Sequence, residues 1–276
     1  MSRLVNMIYG LISGITEFLP VSSRAHQILL RYIFGADSRN FLQEFLVHIG
    51  LLAAIIVSCR EILARLRQEQ RTAPRHRKKG KYSLDRQSYY ELRLLKTGTF
   101  PIIIGLFLSF ATEKMGNSLL SVMAFLLVNA FVMFIAEHCQ HGNRDARTMS
   151  ALDGIVMGVL GGLSIFPGIS RTGMISAYTT LRGADFKLVT NRAFLLGIPA
   201  IVLLICFDLF GLITVGVGAI SFTIFLGYIL SGIFAFVGGY IAISLFLMII
   251  NHAGFAQFAY YSVGAALFAF LLYLIT

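Results

Sequence analysis

Glu17, Ser22, Ser23, Arg24 and His26 crowd around Pro20 in GITEFLPVSSRAH, a stretch that is otherwise apolar. A second cluster, Pro167, Gly168, Ser170, Arg171, Thr172 and Gly173, occupies GGLSIFPGISRTG. Both carry Pro-x-x-Ser-Arg, 147 residues apart, and the same register sets Gly14 on Gly161 and Gly50 on Gly197. These residue types suit the handling of a phosphate-like anion. Arginine can clamp its oxygens bidentately, a carboxylate can hold a divalent cation or act as base, and hydroxyl and imidazole can act as nucleophile or acid–base. If helix resumes after each proline, Ser22 or Ser23 and then Ser170 stand where N-caps belong. The free N–H groups of two helix starts then face the breaks. Ser23 and His26 would share one helix face, and Gly168 and Gly173 allow close backbone approach. A proline kink with a local Glu17–Arg24 ion pair would account for one such cluster. Two in register point instead to a duplicated unit around one polar site.

What must position these groups follows from composition. The chain has 276 residues, 57% of them hydrophobic and 13% charged, with mean hydropathy +0.78. A water-soluble domain could not bury so much apolar surface, so the chain is expected to be an all-α integral membrane protein. The opening MSRLVNMIYG has no pattern of a cleavable signal. Of the net charge of +10, the segment from Arg60 to Lys96 contributes most, with twelve of the 23 Lys/Arg against four acids. Between two apolar segments this reads as a cytoplasmic loop obeying the positive-inside rule and touching anionic headgroups, not as a nucleic-acid site. Cys59, Cys139 and Cys206 are isolated and read as small packing residues. With no Trp, any interfacial aromatic belt falls to Tyr and Phe.

Segmentation gives two similar halves. Residues 1–137 hold a broken hairpin at 4–34, spans at 45–60, 92–112 and 118–137, and the basic loop 61–91. Residues 150–276 hold a broken hairpin at 152–182 and spans at 190–212, 219–249 and 257–275. A kink is expected at Pro199, and a tilt or a break at Gly238-Gly239. Each hairpin re-emerges on the side it entered, and three spans separate them, so the two approach from opposite faces. The expected architecture is an inverted-topology repeat of about six transmembrane helices plus two re-entrant helical hairpins. Its polar tips meet near the midplane, where irregular backbone survives only if buried or wet. Elsewhere His48 reads as structural because its repeat-mate Leu195 is apolar. Asp208 reads as interfacial, His138 and His141 as solvated, and Asp153 as a cap of the second hairpin's first helix.

ITEFLPVSS followed by His26, and FPGISRTG in the second half, resemble the two signature regions of the bacterial undecaprenyl-diphosphate phosphatase (bacitracin-resistance) family. The likeness runs over essentially the whole chain, including FLLGIP at 194–199 and FAQFAYYSVGAALF near the end. It implies hydrolysis of the C55 isoprenyl diphosphate to the monophosphate carrier and inorganic phosphate, in cell-wall lipid recycling. It places the protein in the bacterial plasma membrane with the site open to the outer face. By the same resemblance Glu17, Ser23, His26 and Arg171 are catalytic, with the choice between Ser23 and His26 as nucleophile left open. Ser22, Ser170 and Thr172 would support them as phosphate-binding hydroxyls, and the family usually uses Mg²⁺ or Ca²⁺. The chemistry of the residues themselves adds Arg24, Gly168 and Gly173 to the phosphate-binding set and makes Glu17 the holder of the divalent cation. Expected partners are undecaprenyl diphosphate, membrane lipid and a second copy of the chain; nucleic acid is not among them. The chain departs from the family pattern at Ser13 and Asn191, where acids are usual, and at Arg24-Ala25, where Thr-Gly is usual; Arg192 follows Asn191. Those departures leave a polyprenyl-phosphate carrier on the same site as the rival function.

Overall fold

A computed structural model describes residues 3–35, 40–79, 86–116, 118–139, 142–216 and 220–276. In chain order, α1 (Arg3–Phe18) and α2 (Ser23–Phe34) flank the first break. They are followed by α3 (Phe41–Ser58), α4 (Arg60–Lys79), α5 (Arg86–Gly116) and α6 (Leu119–Glu137). In the second half α7 (Ala151–Gly162) runs through a 3₁₀ turn at Leu163–Ile165 into the second break. Then come α8 (Arg171–Leu181), α9 (Phe186–Leu195), α10 (Gly197–Val215), α11 (Phe222–Ala253) and α12 (Ala256–Ile275). Among the described residues, five stretches are long and apolar enough to cross a membrane: α3, α6, α9 with α10, α11 and α12. The protein is a multi-pass, all-α membrane protein. The sixth predicted span, 92–112, lies inside the longer α5.

Both predicted hairpins are helix–break–helix units. Ser22 is the N-cap of α2, its Oγ accepting from the Ala25 N–H at 3.5 Å, and Ser170 is the N-cap of α8, accepting from Gly173 N–H at 3.1 Å. At the head of α7, Ser150 is the N-cap and Asp153 closes a reciprocal capping box with it, so Asp153 takes part in the capping that its position suggested.

Four expectations need correction. The basic segment 61–91 is not a loop but mostly helix, because REILARLRQEQR is built of strong helix formers; its residues 80–85 lie outside the described residues. The predicted span 190–212 is two helices that part at Leu196–Gly197, ahead of Pro199. Proline fits the first turn of α10 but cannot donate to the carbonyl of Leu195. α11 runs unbroken through Gly238-Gly239, whose missing side chains make room for Leu11 and Phe18 of α1. Asp208, expected near the end of a span, lies within α10 and is fully buried against His48.

Packing crosses between the halves. α1 and α3 lie on α11, α7 lies on α5, α6 on α12 and α3 on α10. Within a membrane such contacts depend on close packing of small residues rather than on hydrophobic driving force. A Cβ at Gly14 would fall 2.4 Å from the Ala235 carbonyl oxygen, and one at Gly158 would fall 2.2 Å from that of Gly98. Beside the first break, Phe18, Phe194 and Phe246 stack edge to face with centroids 6.2 and 5.4 Å apart, locking α1, α9 and α11 together. Glu137 at the end of α6 accepts from the N–H groups of Phe255 and Ala256, stitching α6 to the start of α12.

Candidate active site

Glu17, on the last turn of α1, is the point at which the halves meet. One carboxylate oxygen pairs with Arg171 Nη2 at the start of α8, and the other accepts from Ser23 Oγ at the start of α2. Both charged side chains are more than nine-tenths buried. A buried carboxylate and guanidinium are tolerable only when paired, so neither can be removed without stranding the other. The local alternative, a Glu17–Arg24 pair, is not what forms. Arg24 instead donates from Nη1 to the Ile165 carbonyl at 3.2 Å, in the 3₁₀ turn ahead of the second break.

The remaining predicted phosphate ligands clamp the two breaks against each other. Ser22 Oγ accepts from Gly168 N–H at 3.0 Å, Ser170 Oγ donates to the Leu19 carbonyl at 3.3 Å, and Thr172 Oγ1 donates to the Glu17 carbonyl at 3.1 Å. Gly173 leaves room for Pro20 and Met133, which a Cβ would meet at 3.0 and 3.1 Å. At the centre of the clamp is a residue the sequence reading passed over. Asn129 of α6 donates to the Pro20 carbonyl at 2.9 Å and to Ser262 Oγ at 3.2 Å, and accepts from Ser170 N–H at 3.0 Å. It is fully buried and ties both breaks to α12. A lone amide inside LLVNAFVMF was the available signal, since polar groups at such depth are costly unless used.

His26, one turn after Ser23, bonds elsewhere. Its Nδ1 lies 2.8 Å from the Ser22 carbonyl and its Nε2 lies 2.8 Å from the hydroxyl of Tyr261 on α12. Tyr261 carried no signal of its own, because tyrosine is ordinary near membrane interfaces.

Other polar residues stay apart from this cluster. Arg192 adds no charge to it: the side chain is fully buried and donates to the Glu91 carbonyl and carboxylate at 2.9 and 3.1 Å, with Arg65 on the same carboxylate at 2.8 Å. Asn191 is buried beside it on α9. His48 Nδ1 contacts Asp208 at 2.6 Å. Ser13, where an acid was the family expectation, accepts from Gln27 at 3.3 Å. His138 is exposed and bonds the Phe134 carbonyl, while His141 lies outside the described residues.

The donor set bears on a metal. Among the described residues no group of three or more His, Cys, Asp or Glu could enclose an ion. Glu17 alone, already holding Arg171 and Ser23, does not make a resident cage. It does fit an ion that arrives with a diphosphate, since Mg²⁺ is commonly held by one or two carboxylates plus substrate oxygens.

The profile of the family described as bacitracin resistance protein BacA matches residues 6–268. The chain is similar to the undecaprenyl-diphosphatase of Alkaliphilus metalliredigens, at 30% identity over 99% of this chain and 100% of that protein. It is also similar to the undecaprenyl-diphosphatase of Carboxydothermus hydrogenoformans, at 29% over 95% and 94%, and to undecaprenyl-diphosphatase 3 of Bacillus cereus, at 28% over 96% and 95%. With a match across nearly its whole length, the chain belongs to the bacitracin resistance protein BacA family.

Proposed function

We propose that the protein is an undecaprenyl-diphosphatase of the bacterial plasma membrane, hydrolysing the C55 isoprenyl diphosphate at the Glu17 cluster. The observation that carries this reading is one carboxylate shared by Arg171 from the second break and Ser23 from the first. A terminal phosphate offers Arg171 a bidentate partner and draws it from Glu17, which is then free to accept the Ser23 proton. Ser23 Oγ forms a bond to the terminal phosphorus, the bridging P–O bond breaks, and the prenyl monophosphate leaves. Water then attacks the phosphoserine phosphorus and gives its proton to His26, while the Ser23 Oγ–P bond breaks and Glu17 returns the proton to Ser23. Arg171 stabilises the charge on the transferring group throughout. A divalent cation, Mg²⁺ or Ca²⁺, held by Glu17 and substrate oxygens, would supply further charge neutralisation when bound.

The two broken hairpins are taken as inverted repeats entering from opposite faces, with the site open outward and the tail leaving sideways into lipid. The basic α4 between α3 and α5 supports that orientation through the positive-inside rule. The diphosphatase names of relatives matched over nearly their full length favour hydrolysis over the carrier reading.

The test is phosphate release from farnesyl or undecaprenyl diphosphate by purified protein in detergent with Mg²⁺ or Ca²⁺. Release that disappears in Glu17→Ala and Arg171→Ala is expected. No release by the wild type, together with movement of prenyl monophosphate across liposomes, would transfer the site to the carrier.

A further inference from the structure

α12 reaches the site through two neighbouring residues. Ser262 is fully buried and bonds Asn129, whereas Tyr261 lies at the edge of the helix face, half exposed, with its hydroxyl turned inward onto His26. The two rings lie nearly parallel, 19° apart, with centroids separated by 5.6 Å.

The partners of His26 determine where its proton sits. Nδ1 faces the Ser22 carbonyl at 2.8 Å, and a carbonyl can only accept, so Nδ1 carries hydrogen. In the neutral ring Nε2 is therefore the lone pair, and the Tyr261 hydroxyl 2.8 Å away donates to it. If Nε2 takes up a proton, the same hydroxyl can rotate and accept it, because a phenol both donates and accepts. His26 can thus alternate between imidazole and imidazolium without losing either hydrogen bond. The carbonyl that anchors Nδ1 belongs to Ser22, whose φ of 68° is the one positive value at a non-glycine position among the described residues. Backbone strain of this kind persists where surrounding contacts over-determine it.

We propose that Tyr261 is a positioning residue: while the Ser22 carbonyl fixes the Nδ1–H tautomer, the Tyr261 hydroxyl holds the ring through Nε2 and keeps that atom as the one that exchanges a proton during hydrolysis. This rests on the reading of the Glu17 cluster as a diphosphatase.

The test compares Tyr261→Phe, which keeps the stacked ring and removes only the hydroxyl, with Tyr260→Phe, whose exposed ring packs on Phe134. Tyr261→Phe should lower kcat for phosphate release about tenfold with KM changed less than about twofold, and should move the limb of the pH–rate profile that is absent in His26→Gln. Tyr260→Phe should behave as wild type. ¹⁵N spectra of histidine-labelled protein, with His26 assigned from His26→Gln, should show hydrogen on Nδ1 and an Nε2 signal that shifts in Tyr261→Phe alone. Wild-type kcat and pH profile in Tyr261→Phe, or hydrogen on Nε2 of the resting enzyme, would overturn the proposal. Were the wild type to release no phosphate, the hydrolase reading would fail, and the nitrogen spectra would still decide whether the Tyr261 hydroxyl holds Nε2.

Discussion

The two breaks share a Pro-x-x-Ser-Arg frame and meet the same backbone problem in different ways. The second turns at Gly168, with φ 129°, where a Cβ would lie 2.5 Å from the Leu126 nitrogen. The first turns at Ser22, with φ 68°, a conformation that costs an ordinary residue of order 1–3 kcal/mol. Serine is kept there for what it holds: its hydroxyl accepts from Gly168 N–H and its carbonyl anchors His26. Glu17, Ser23 and His26 all belong to the first break, and Arg171 crosses from the second to pair with the Glu17 carboxylate. In the proposed function one copy of the frame supplies the reacting groups, and the other supplies close fit plus a single cation.

The sharpest way to break that division is at its crossing point. Arg171→Ala should lower phosphate release by about 10²–10³-fold, the usual effect of losing a preorganised donor to transition-state charge. It should also strand a buried Glu17, so the melting temperature in detergent should fall as well. A next, smaller effect separates fit from chemistry. Gly168→Ala has nowhere to put a methyl group and should destabilise by about 2–3 kcal/mol in thermal unfolding. Ser22→Gly should stay within about 1 kcal/mol, because relief of positive φ offsets the lost hydroxyl. Equal losses at both positions would erase the distinction between the breaks.

Arg192→Met tests whether positive charge outside the breaks matters. Glu91 keeps Arg65, so stability should fall modestly while kcat per folded molecule is unchanged; a drop in kcat would return Arg192 to the site. A smaller catalytic effect than that of Arg171→Ala belongs to Arg24, which we propose carries part of the charge that a cation would otherwise neutralise. Arg24→Ala should lower kcat/KM by about three- to tenfold and make the residual activity more sensitive to EDTA. Unchanged activity in Arg24→Ala, with complete loss in EDTA, would end that idea.

Much of this was legible along the chain. The helix breaks followed from Pro20 and Pro167 with serine N-caps behind them, because proline and capping act within a few residues. The basic segment misled for an equally local reason: its charge marked a membrane-side connection, while its strong helix formers went unweighed, and it became α4. Misplacing the 190–212 break by a few residues came from reading Pro199 as a kink within one helix instead of as a first-turn residue.

The partners of buried polar groups were out of reach, since they depend on which helices lie side by side and at what rotation. His48 and Asp208 are 160 positions apart, Arg192 and Glu91 are 101, and His26 and Tyr261 are 235. Hydropathy, broken segments and a repeated frame sufficed to declare an all-α membrane protein with two polar clusters, because each is written in short-range pattern. Only the packed helices could decide that Arg171 answers Glu17, that Arg192 turns away, that Asn129 ties the two breaks together and that Tyr261 bonds His26. A buried donor or acceptor must find a partner, and which one lies within reach is a property of the assembled fold.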